Sequence, residues 1–544
     1  MALARHLAAL HALRGTPTGS NASRATLLAA IHATVPRRAT LAEATHDELL
    51  FLVAFPPSLA IHRRARAFLD RFHRWLAPLG PRALAPLADT GIASTTTTAA
   101  LPWACAHWLR RHRESVSIIV TDESAADRLE PVARAAITAA EEDAFDSGAW
   151  TTREYIRRRG GRNPFPWLVP LGGTRNRAIA HAFDAAAAPL VWSLGGSPWS
   201  ASRNRVPVAA PVVRRAFRRV PEDPRSLVAT PLRGIRRLRG AEATQWMDAS
   251  MAALAARARE VTPTMDPNPD EIYLADLGEG AALCLLGAHP EVRCALEANY
   301  GYVMFSNGVP IGYGGVTPLA DQANTGANLF PAFRGSEAAF LFAQSLRAFR
   351  TLFGVSRFIV NPYQFGADND EALASGALWF YDRLGFRSVR RSLRALADRE
   401  RALLRRRPGR RSSRAVLRRL ATADLVLDLG DHSADLFPED HLVTLGQRVA
   451  AHLAGLGDGA LPLDAARSGL SMSRNSSRRE GHRLLGPFLM LIEREVRQWP
   501  HRDQAALAAV VAAKGARQER AFVRLARQLP GLWRALDAAA RAPT

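Results

Sequence analysis

The sequence predicts an α+β protein in which a central mixed sheet with flanking helices lies between a mainly helical N-terminal region and a basic helical C-terminal region. Apolar residues recur at three- and four-residue spacing through much of residues 1–235 and again from about residue 441 to 540, which is typical of amphipathic helices. Strand-like segments instead accumulate between residues 271 and 360. We therefore divide the chain into residues 1–235, 236–392 and 393–544.

The N-terminal region has its clearest helical periodicity at residues 27–33, 47–55, 64–79 and 125–145. Residues 117–120 form its one strand candidate, because three β-branched apolar residues follow each other there. In a chain of 544 residues such a region is expected to build a core of its own.

The central region opens with a helical pattern at residues 241–261. Strands are predicted at residues 271–274, 281–286, 300–305, 309–316, 326–330 and 357–360. Asn307 and Gly308 lie between two of these strands and predict a tight hairpin, because both residues readily adopt the positive φ values that such turns need. Residues 424–427 add one strand-like segment to the C-terminal region.

The amino-acid composition limits which partners the protein is expected to bind and in which compartment it is expected to lie. The formal charge is +22, and of 72 basic residues only Lys514 is lysine, a skew typical of GC-rich genomes. That skew explains the missing lysine but not the excess of positive charge, so anionic partners stay open. Three scattered cysteines form neither a disulfide framework nor a metal cluster, and we expect a reducing cytoplasm. Apolar runs stay shorter than the roughly 20 residues of a membrane span, so we expect no membrane contact.

Residues 325–386 carry the clearest functional pattern. An apolar stretch runs into Pro-Ala-Phe-Arg-Gly at residues 331–335, a helical segment and a second strand follow, and the block closes with Trp-Phe-Tyr-Asp-Arg-Leu-Gly-Phe at residues 379–386. This order resembles the cofactor half of the GCN5-related N-acetyltransferase (GNAT) superfamily. The resemblance implies an acyl-CoA-dependent N-acyltransferase, with acetyl-CoA or another acyl-CoA as cosubstrate and a small-molecule or protein amine as acceptor.

The resemblance assigns the cosubstrate to the end of the first strand and to the turn that enters the helix, where free backbone N–H groups and the helix dipole favour a phosphate. The implied cofactor-binding residues are Leu329, Phe330, Arg334, Gly335, Ser336, Glu337, Ala338 and Ala339. Ser336 is a candidate cap of the helix or donor to a phosphate. An ordinary capped helix start is the alternative for the whole turn.

Glu337 departs from the family pattern, which has glycine at this position. A carboxylate in the first helical turn stabilises a helix by roughly 0.3–1 kcal/mol, yet it lies where the pyrophosphate is expected. Its side chain either points away and pairs with Arg334 or another arginine, or it fills the anion site itself. The second case would leave a GNAT-shaped domain that acts only as a binding or scaffold protein.

Tyr381 is the implied general acid, because the tyrosine of this family motif often protonates the departing CoA thiolate, and a phenol with a pKa near 10 suits that role. Packing as a core aromatic is the alternative. Glu297 and Asp321 are candidates for the base that takes the proton of the amine, and Glu337 is a third. Position in the chain, not spacing, selects these carboxylates, and a surface carboxylate is the default for each.

The stretch from Arg390 to Arg419 contains thirteen arginines and two acids and could bind nucleic acid through phosphates. Leucines interrupt it, Pro408-Gly409 breaks it, and it carries no aromatic residue for base stacking, so a helix, linker, helix arrangement is the alternative. Residues 428–435 include three aspartates and one histidine, but their spacing matches no established metal site, and we assign no metal.

Overall fold

The computed structural model describes residues 2–15, 20–34, 36, 38–173, 177–334, 336–407, 409–430, 435–455 and 476–542. Over these ranges the protein is a mixed α/β structure with one large mixed sheet, one small sheet and helices that flank both. Buried apolar side chains of the helices and of both sheets form one continuous core. None of the helices in these ranges is long and apolar enough to cross a membrane.

The N-terminal region is mainly helical, as predicted. Its helices before the first strand are α1 (Ala2–Ala12), α2 (Asn21–His32), α3 (Ala39–Ala54), α4 (Leu59–Asp70), α5 (Phe72–Leu76) and α6 (Pro81–Leu84). Further along the chain lie α7 (Trp103–Arg111), α8 (Glu123–Arg128), α9 (Glu130–Arg134), α10 (Ala139–Asp146), α11 (Thr152–Gly160), α12 (Phe165–Leu171), α13 (Arg177–Ala186) and α14 (Pro224–Ala229). The predicted helix at residues 125–145 is therefore three short helices, which Pro131 and the capping residue Thr138 separate.

A small antiparallel sheet interrupts these helices. It consists of β1 (Thr96–Ala99), β2 (Ser115–Ile118) and β3 (Leu190–Ser193), and β3 lies in the middle. The strand predicted at residues 117–120 corresponds to β2, shifted toward the N-terminus by two residues. The sequence analysis missed β1 and β3, because each has four residues and β1 is rich in threonine rather than in apolar residues.

The large sheet contains nine strands. They are β4 (Ile235–Arg237), β5 (Pro267–Gly278), β6 (Ala281–Ala288), β7 (Tyr300–Ser306), β8 (Val309–Leu319), β9 (Gln322–Leu329), β10 (Arg357–Val360), β11 (Arg387–Ser388) and β12 (Leu425–Asp428). Their order across the sheet is β11-β12-β10-β9-β8-β7-β6-β5-β4. All pairs are antiparallel except β9 with β10, which is parallel.

The six predicted central strands correspond to β5 to β10. The hairpin between β7 and β8 turns at Asn307 and Gly308, whose φ values of 47° and 76° confirm the predicted turn. The helix predicted at residues 241–261 is α15 (Gly240–Ala255), and the short α16 (Thr262–Met265) follows it.

The parallel pair is connected by α17 (Ala338–Phe353), which packs on the sheet through aromatic side chains. Phe349 lies against Tyr302, with ring centroids 5.2 Å apart, and Phe353 lies against Tyr300 at 4.7 Å. Gly354 ends the helix with a φ of 78°, a left-handed conformation that glycine adopts without strain. The short helices α18 (Asp370–Ser375) and α19 (Ala377–Arg383) lie between β10 and β11.

The C-terminal region adds helices and one strand. Its helices are α20 (Arg391–Arg406), α21 (Arg414–Leu420), α22 (Glu439–Gly455), α23 (Ser476–Leu491), α24 (Glu493–Val496), α25 (His501–Lys514), α26 (Arg520–Arg527) and α27 (Pro530–Arg541). The strand β12, at the strand-like segment that the sequence suggested, lies between β10 and β11. The proposed boundary between residues 392 and 393 therefore cuts through the large sheet.

Buried ion pairs connect this C-terminal region to the sheet. Lys514, the only lysine of the chain, is fully buried; its ammonium contacts the carboxylate of Glu519 and donates to the carbonyl oxygen of Glu297 at 2.7 Å. Glu271 of β5 accepts hydrogen bonds from the backbone N–H groups of Glu519 and Arg520, each at 2.8 Å. Burial raises the pKa of Glu271, and these backbone bonds oppose that rise.

Arg293 completes the same cluster. Its guanidinium is buried and donates to the carbonyl oxygens of Lys514, Ala516 and Arg517 at 3.1, 2.6 and 2.9 Å. The turn between α25 and α26 is thus held on the sheet by charge-assisted hydrogen bonds, which are about twice as strong as neutral ones.

We expect Lys514→Met to lower the free energy of unfolding by about 3 kcal/mol or more, because the carboxylate of Glu519 stays buried without its ammonium partner. Urea denaturation followed by circular dichroism measures this loss. Arg502→Met on the same helix is the matched control, since its side chain is 86% exposed, and we expect a change within about 0.5 kcal/mol. A loss for Lys514→Met as small as that of the control would contradict the role of this cluster.

Candidate active site

The strands β9 and β10 are the parallel pair of the large sheet and lie fourth and third from its β11 edge. Their parallel pairing covers only three residues of each strand and ends where Asn324 lies opposite Ile359. Beyond that point β9 continues to Leu329, whereas β10 ends at Val360 and the chain turns into a short 3₁₀ helix, Pro362–Phe365. We call the space between residues 325–329 and residues 361–365 the wedge.

Tyr381 lies inside this wedge. Its hydroxyl oxygen accepts a hydrogen bond from the backbone N–H of Ala327 at 3.3 Å, and only 2% of the residue is exposed. Its ring packs against Phe342, Phe380 and Phe386. Burial raises the pKa of Tyr381 to about 12, although the Ala327 hydrogen bond opposes the rise. The phenol therefore carries its proton at neutral pH.

Two further side chains at the wedge were not predicted. Gln364, half-buried, lies on Gly326: a Cβ atom at residue 326 would be 2.6 Å from its Oε1 atom. From the strand β7, Tyr302 donates its hydroxyl to the carbonyl oxygen of Gly326 at 2.5 Å. A Cβ at Gly314 would be 2.5 Å from that hydroxyl, so glycine is required there. Glycines at 312, 314, 315 and 326 were the available sequence signal for this close approach.

The turn that follows β9 is held by the N-terminal region. Residues Pro331–Phe333 form a 3₁₀ turn, and Arg14 donates to the carbonyl oxygen of Ala332 at 3.0 Å. The ring of Phe333 contacts the ring of Phe55, just after α3, edge-on with centroids 6.3 Å apart. Helices far away in the sequence thus hold the candidate phosphate turn in position.

The helix α17 begins without a side-chain cap. Glu337 occupies the N-cap position, and the hydroxyl of Ser336 donates to the carbonyl oxygen of Phe333 at 2.7 Å. The prediction that Ser336 caps the helix is therefore wrong, because its hydroxyl is engaged in the preceding turn. Across the described ranges no hydrogen-bond acceptor contacts the backbone N–H groups of Ala338 and Ala339. Gly335 lies outside the described residues.

Glu337 is buried and paired with two arginines. Its side chain is fully buried, and it lies 2.8 Å from Nη2 of Arg214 and 2.5 Å from Nε of Arg218. Arg214 is equally buried, and burial lowers its pKa while the charge of Glu337 opposes that effect. Glu337 thus pairs with arginines, as one of the two alternatives requires, although not with Arg334.

The helix geometry shows on which side of α17 Glu337 and its two arginine partners lie. Arg218 lies over the ring of Phe340 at 4.6 Å, whereas Phe342 faces Tyr381. Residues two apart on an α-helix lie about 200° apart, so the arginine pair and the wedge are on opposite sides of α17. The carboxylate of Glu337 therefore does not occupy the wedge.

The other predicted cofactor-binding residues surround the mouth of the wedge. Leu329 is half-buried at the end of β9, and Phe330 is buried, with the guanidinium of Arg257 over its ring at 4.0 Å. Arg334 is exposed and forms an ion pair with Glu371, which is also exposed. Two cationic side chains, the half-buried Arg257 and the exposed Arg334, thus lie along the segment between β9 and α17.

The structure does not bring Asp321 or Glu297 to Tyr381. Asp321 lies in the turn between β8 and β9, where Ser356 Oγ donates to it at 2.8 Å and Arg527 Nε at 2.6 Å. Glu297 lies at the same end of the sheet, where its carbonyl accepts from Lys514 and burial raises the pKa of its carboxyl. Since β9 has eight residues at about 3.3 Å each, that end is roughly 20 Å from the wedge mouth.

Asn369 has a structural role. Its side-chain oxygen accepts a hydrogen bond from the backbone N–H of Ala372 at 3.0 Å, which caps α18. Gly385 follows the end of α19 with a φ of 92°, a left-handed conformation that glycine adopts without strain. Of residues 428–435, the stretch from 431 to 434 lies outside the described residues.

Comparisons with protein-family models, with curated proteins and with solved structures give no match to this chain.

We expect Glu337→Ala to lower the free energy of unfolding by about 3–5 kcal/mol, because it leaves the guanidinium of Arg214 buried without a full partner. Glu371→Ala removes an exposed carboxylate that is also paired with an arginine, and here we expect at most about 1 kcal/mol. Chemical denaturation of both variants measures the difference. Equal losses would show that the buried pair contributes no more than a surface ion pair.

Proposed function

We propose that the central region is an acyl-CoA-dependent N-acyltransferase of the GNAT type, which moves an acyl group, acetyl in the first instance, to an amine. The observation that carries the proposal is the wedge between β9 and β10, with the Tyr381 hydroxyl inside it and the start of α17 beside it. In the family that residues 325–386 resemble, the pantetheine arm of the cosubstrate enters such a wedge.

Each part of the wedge has a chemical use in that reaction. The backbone N–H groups at the start of α17, together with Arg334, would bind the diphosphate of the cosubstrate. The backbone N–H of Ala327 would orient the thioester carbonyl. Tyr381 would protonate the sulfur: the amine nitrogen forms a bond to the acyl carbon, the carbon–sulfur bond breaks, and the phenol proton goes to the departing thiolate.

Glu337 is compatible with this role because its charge is already balanced. Paired with Arg214 and Arg218 on the far side of α17, its carboxylate does not present an unpaired negative charge to a diphosphate. Glu297 and Asp321 lie at the other end of the sheet, and Glu371 is paired with Arg334, which we assign to the diphosphate, so the proton that the amine loses goes to solvent.

Gln364 must move for the cosubstrate to enter. Its side chain covers Gly326, and it is half-buried, so rotation toward solvent costs little packing. The same contact, together with the Tyr381 hydrogen bond to Ala327, favours the second candidate function, a GNAT-shaped binding or scaffold protein in which side chains fill the wedge permanently.

Thermal unfolding with acetyl-CoA and with longer acyl-CoAs separates these two functions. A transferase is stabilised by its cosubstrate, by about 2.7 kcal/mol when the free ligand is at 100 times its dissociation constant. ATP at the same concentration is the control for non-specific binding of a polyanion to this basic chain. No stabilisation by any acyl-CoA, or the same stabilisation by ATP, would reject the enzyme and leave the scaffold protein.

Tyr381→Phe tests the catalytic step. We expect it to slow acyl transfer by about 10²–10⁴-fold, the usual contribution of a general acid, without changing the stabilisation by acyl-CoA. Tyr155→Phe is the matched control, because Tyr155 is a buried tyrosine of α11 whose hydroxyl has no hydrogen-bond partner among the described residues, and its rate should stay within about twofold of the unmodified protein. A normal rate for Tyr381→Phe would reduce this tyrosine to a packing role.

A further inference from the structure

The helices α20 and α21 present a row of exposed arginines. The predicted helix, linker, helix arrangement is confirmed: α20 ends before Pro408, and α21 begins at Arg414. One face of each helix packs on the central region through Leu393, Leu417 and Leu420, which are buried. Eleven arginines between residues 391 and 419 are exposed, and three of them, Arg410, Arg414 and Arg418, lie near carboxylates. We call the other eight, on the two helices and in the linker, the arginine face: Arg391, Arg394, Arg399, Arg405, Arg406, Arg407, Arg411 and Arg419.

Eight of the eleven exposed arginines between residues 391 and 419 thus lack a carboxylate partner in the described part of the chain. The nearby carboxylates are engaged by other arginines: Asp382 and Asp398 by Arg401, and Asp370 by Arg414. Over the described part of the chain, no carboxylate oxygen lies within 4.0 Å of the guanidinium of any of the eight arginines. An ordinary solvated helix face of this length would carry Glu–Arg pairs at i, i+4 spacing, which stabilise helices.

The charge density is local and not a consequence of composition alone. Thirteen of the thirty residues from 390 to 419 are arginine, whereas the whole chain has 72 basic residues among 544. Since like charges repel each other, such a density is unfavourable unless a polyanion neutralises it.

The arginine face is also held rigidly. Arg401 donates two hydrogen bonds to the carboxylate of Asp382, at 3.0 and 2.5 Å, and this aspartate is buried at the end of α19. The indole of Trp379 donates to Ser412 in the linker at 3.0 Å. A fixed array binds phosphates with a smaller loss of side-chain and backbone entropy than a flexible tail.

The chemistry of the face selects one class of polyanion. Single-stranded nucleic acid is bound through aromatic stacking, and the arginine face has no aromatic side chain. A membrane-binding helix needs a broad exposed apolar side, whereas Leu393, Leu417 and Leu420 are buried and Leu403, 37% exposed, is a single exposed apolar side chain. Phosphates along a duplex suit the face, since α20 is about 24 Å long and guanidinium groups form bidentate pairs with phosphate.

We propose that the arginine face binds the phosphate backbone of a nucleic-acid duplex without sequence preference. This inference is independent of the acyltransferase, because none of the eight arginines belongs to the wedge.

Fluorescence anisotropy of the full chain with labelled DNA and RNA duplexes of about 20 base pairs, over a range of salt concentrations, tests the proposal. Comparison of the two duplexes shows whether the arginine face prefers the phosphates of DNA or those of RNA. The triple variant R399Q/R405Q/R406Q should weaken binding about tenfold or more near 0.1 M salt. It should also reduce the slope of log K against log salt by about 2.7, since each lost phosphate contact accounts for about 0.9.

The matched control is R63Q/R64Q/R74Q, which removes the same charge from exposed arginines of α4 and α5. We expect it to change the affinity less than about twofold. A second face variant, R391Q/R411Q/R419Q, repeats the test if the first does not fold. Any of three results would overturn the proposal. These are an equal loss of affinity in the control and face variants, no binding of either duplex at low salt, and tighter binding to single strands or to phosphatidylserine vesicles.

Discussion

The buried pairing of Glu337 with Arg214 and Arg218 is the interaction on which the candidate site depends. Charges that are removed from water are stable only when they are paired and hydrogen-bonded, so none of these three side chains can be buried alone. Arg214 also binds Glu279 in the turn between β5 and β6, and Arg218 donates to the carbonyl of Leu277. Three distant segments are thereby joined at the start of α17. The position of the start of α17 follows from this junction.

Local sequence patterns predicted the local structure well. The strands β5 to β8, the Asn307-Gly308 turn and the glycines that end α17 and α19 all follow from residue types at neighbouring positions. Which strands pair with each other in the large sheet could not be predicted in this way. The strand β12 was visible as a strand-like segment, but its place between β10 and β11 depends on pairing over long sequence distances, for which the sequence carries no local pattern.

The difference between local patterns, which could be predicted, and long-range contacts, which could not, also holds for the candidate site. Tyr381 was identified because it lies in a short motif, and its hydroxyl contacts the backbone N–H of Ala327 in β9. The partners of Glu337 could not be identified, since the sequence contains many arginines and nothing local distinguishes Arg214 from the others. Asp321 was selected by its position in the chain alone. Because β9 is an extended strand, a residue only a few positions away from the wedge along the chain lies at the opposite end of the sheet.

Arginine is used in two ways in this protein, and for this reason the composition alone could not decide whether the chain binds an anionic partner. Arg214, Arg293 and Arg401 act inside the structure, where a planar guanidinium bridges carboxylates or carbonyl oxygens that a single ammonium could not reach together. The arginines of the arginine face are instead exposed and have no carboxylate partner among the described residues. Arg401 belongs to the helix of the arginine face, yet it binds the residue that follows Tyr381. A ligand that reoriented α20 would therefore act directly on the helix that carries the proposed general acid, and the two proposed activities share this one buried contact.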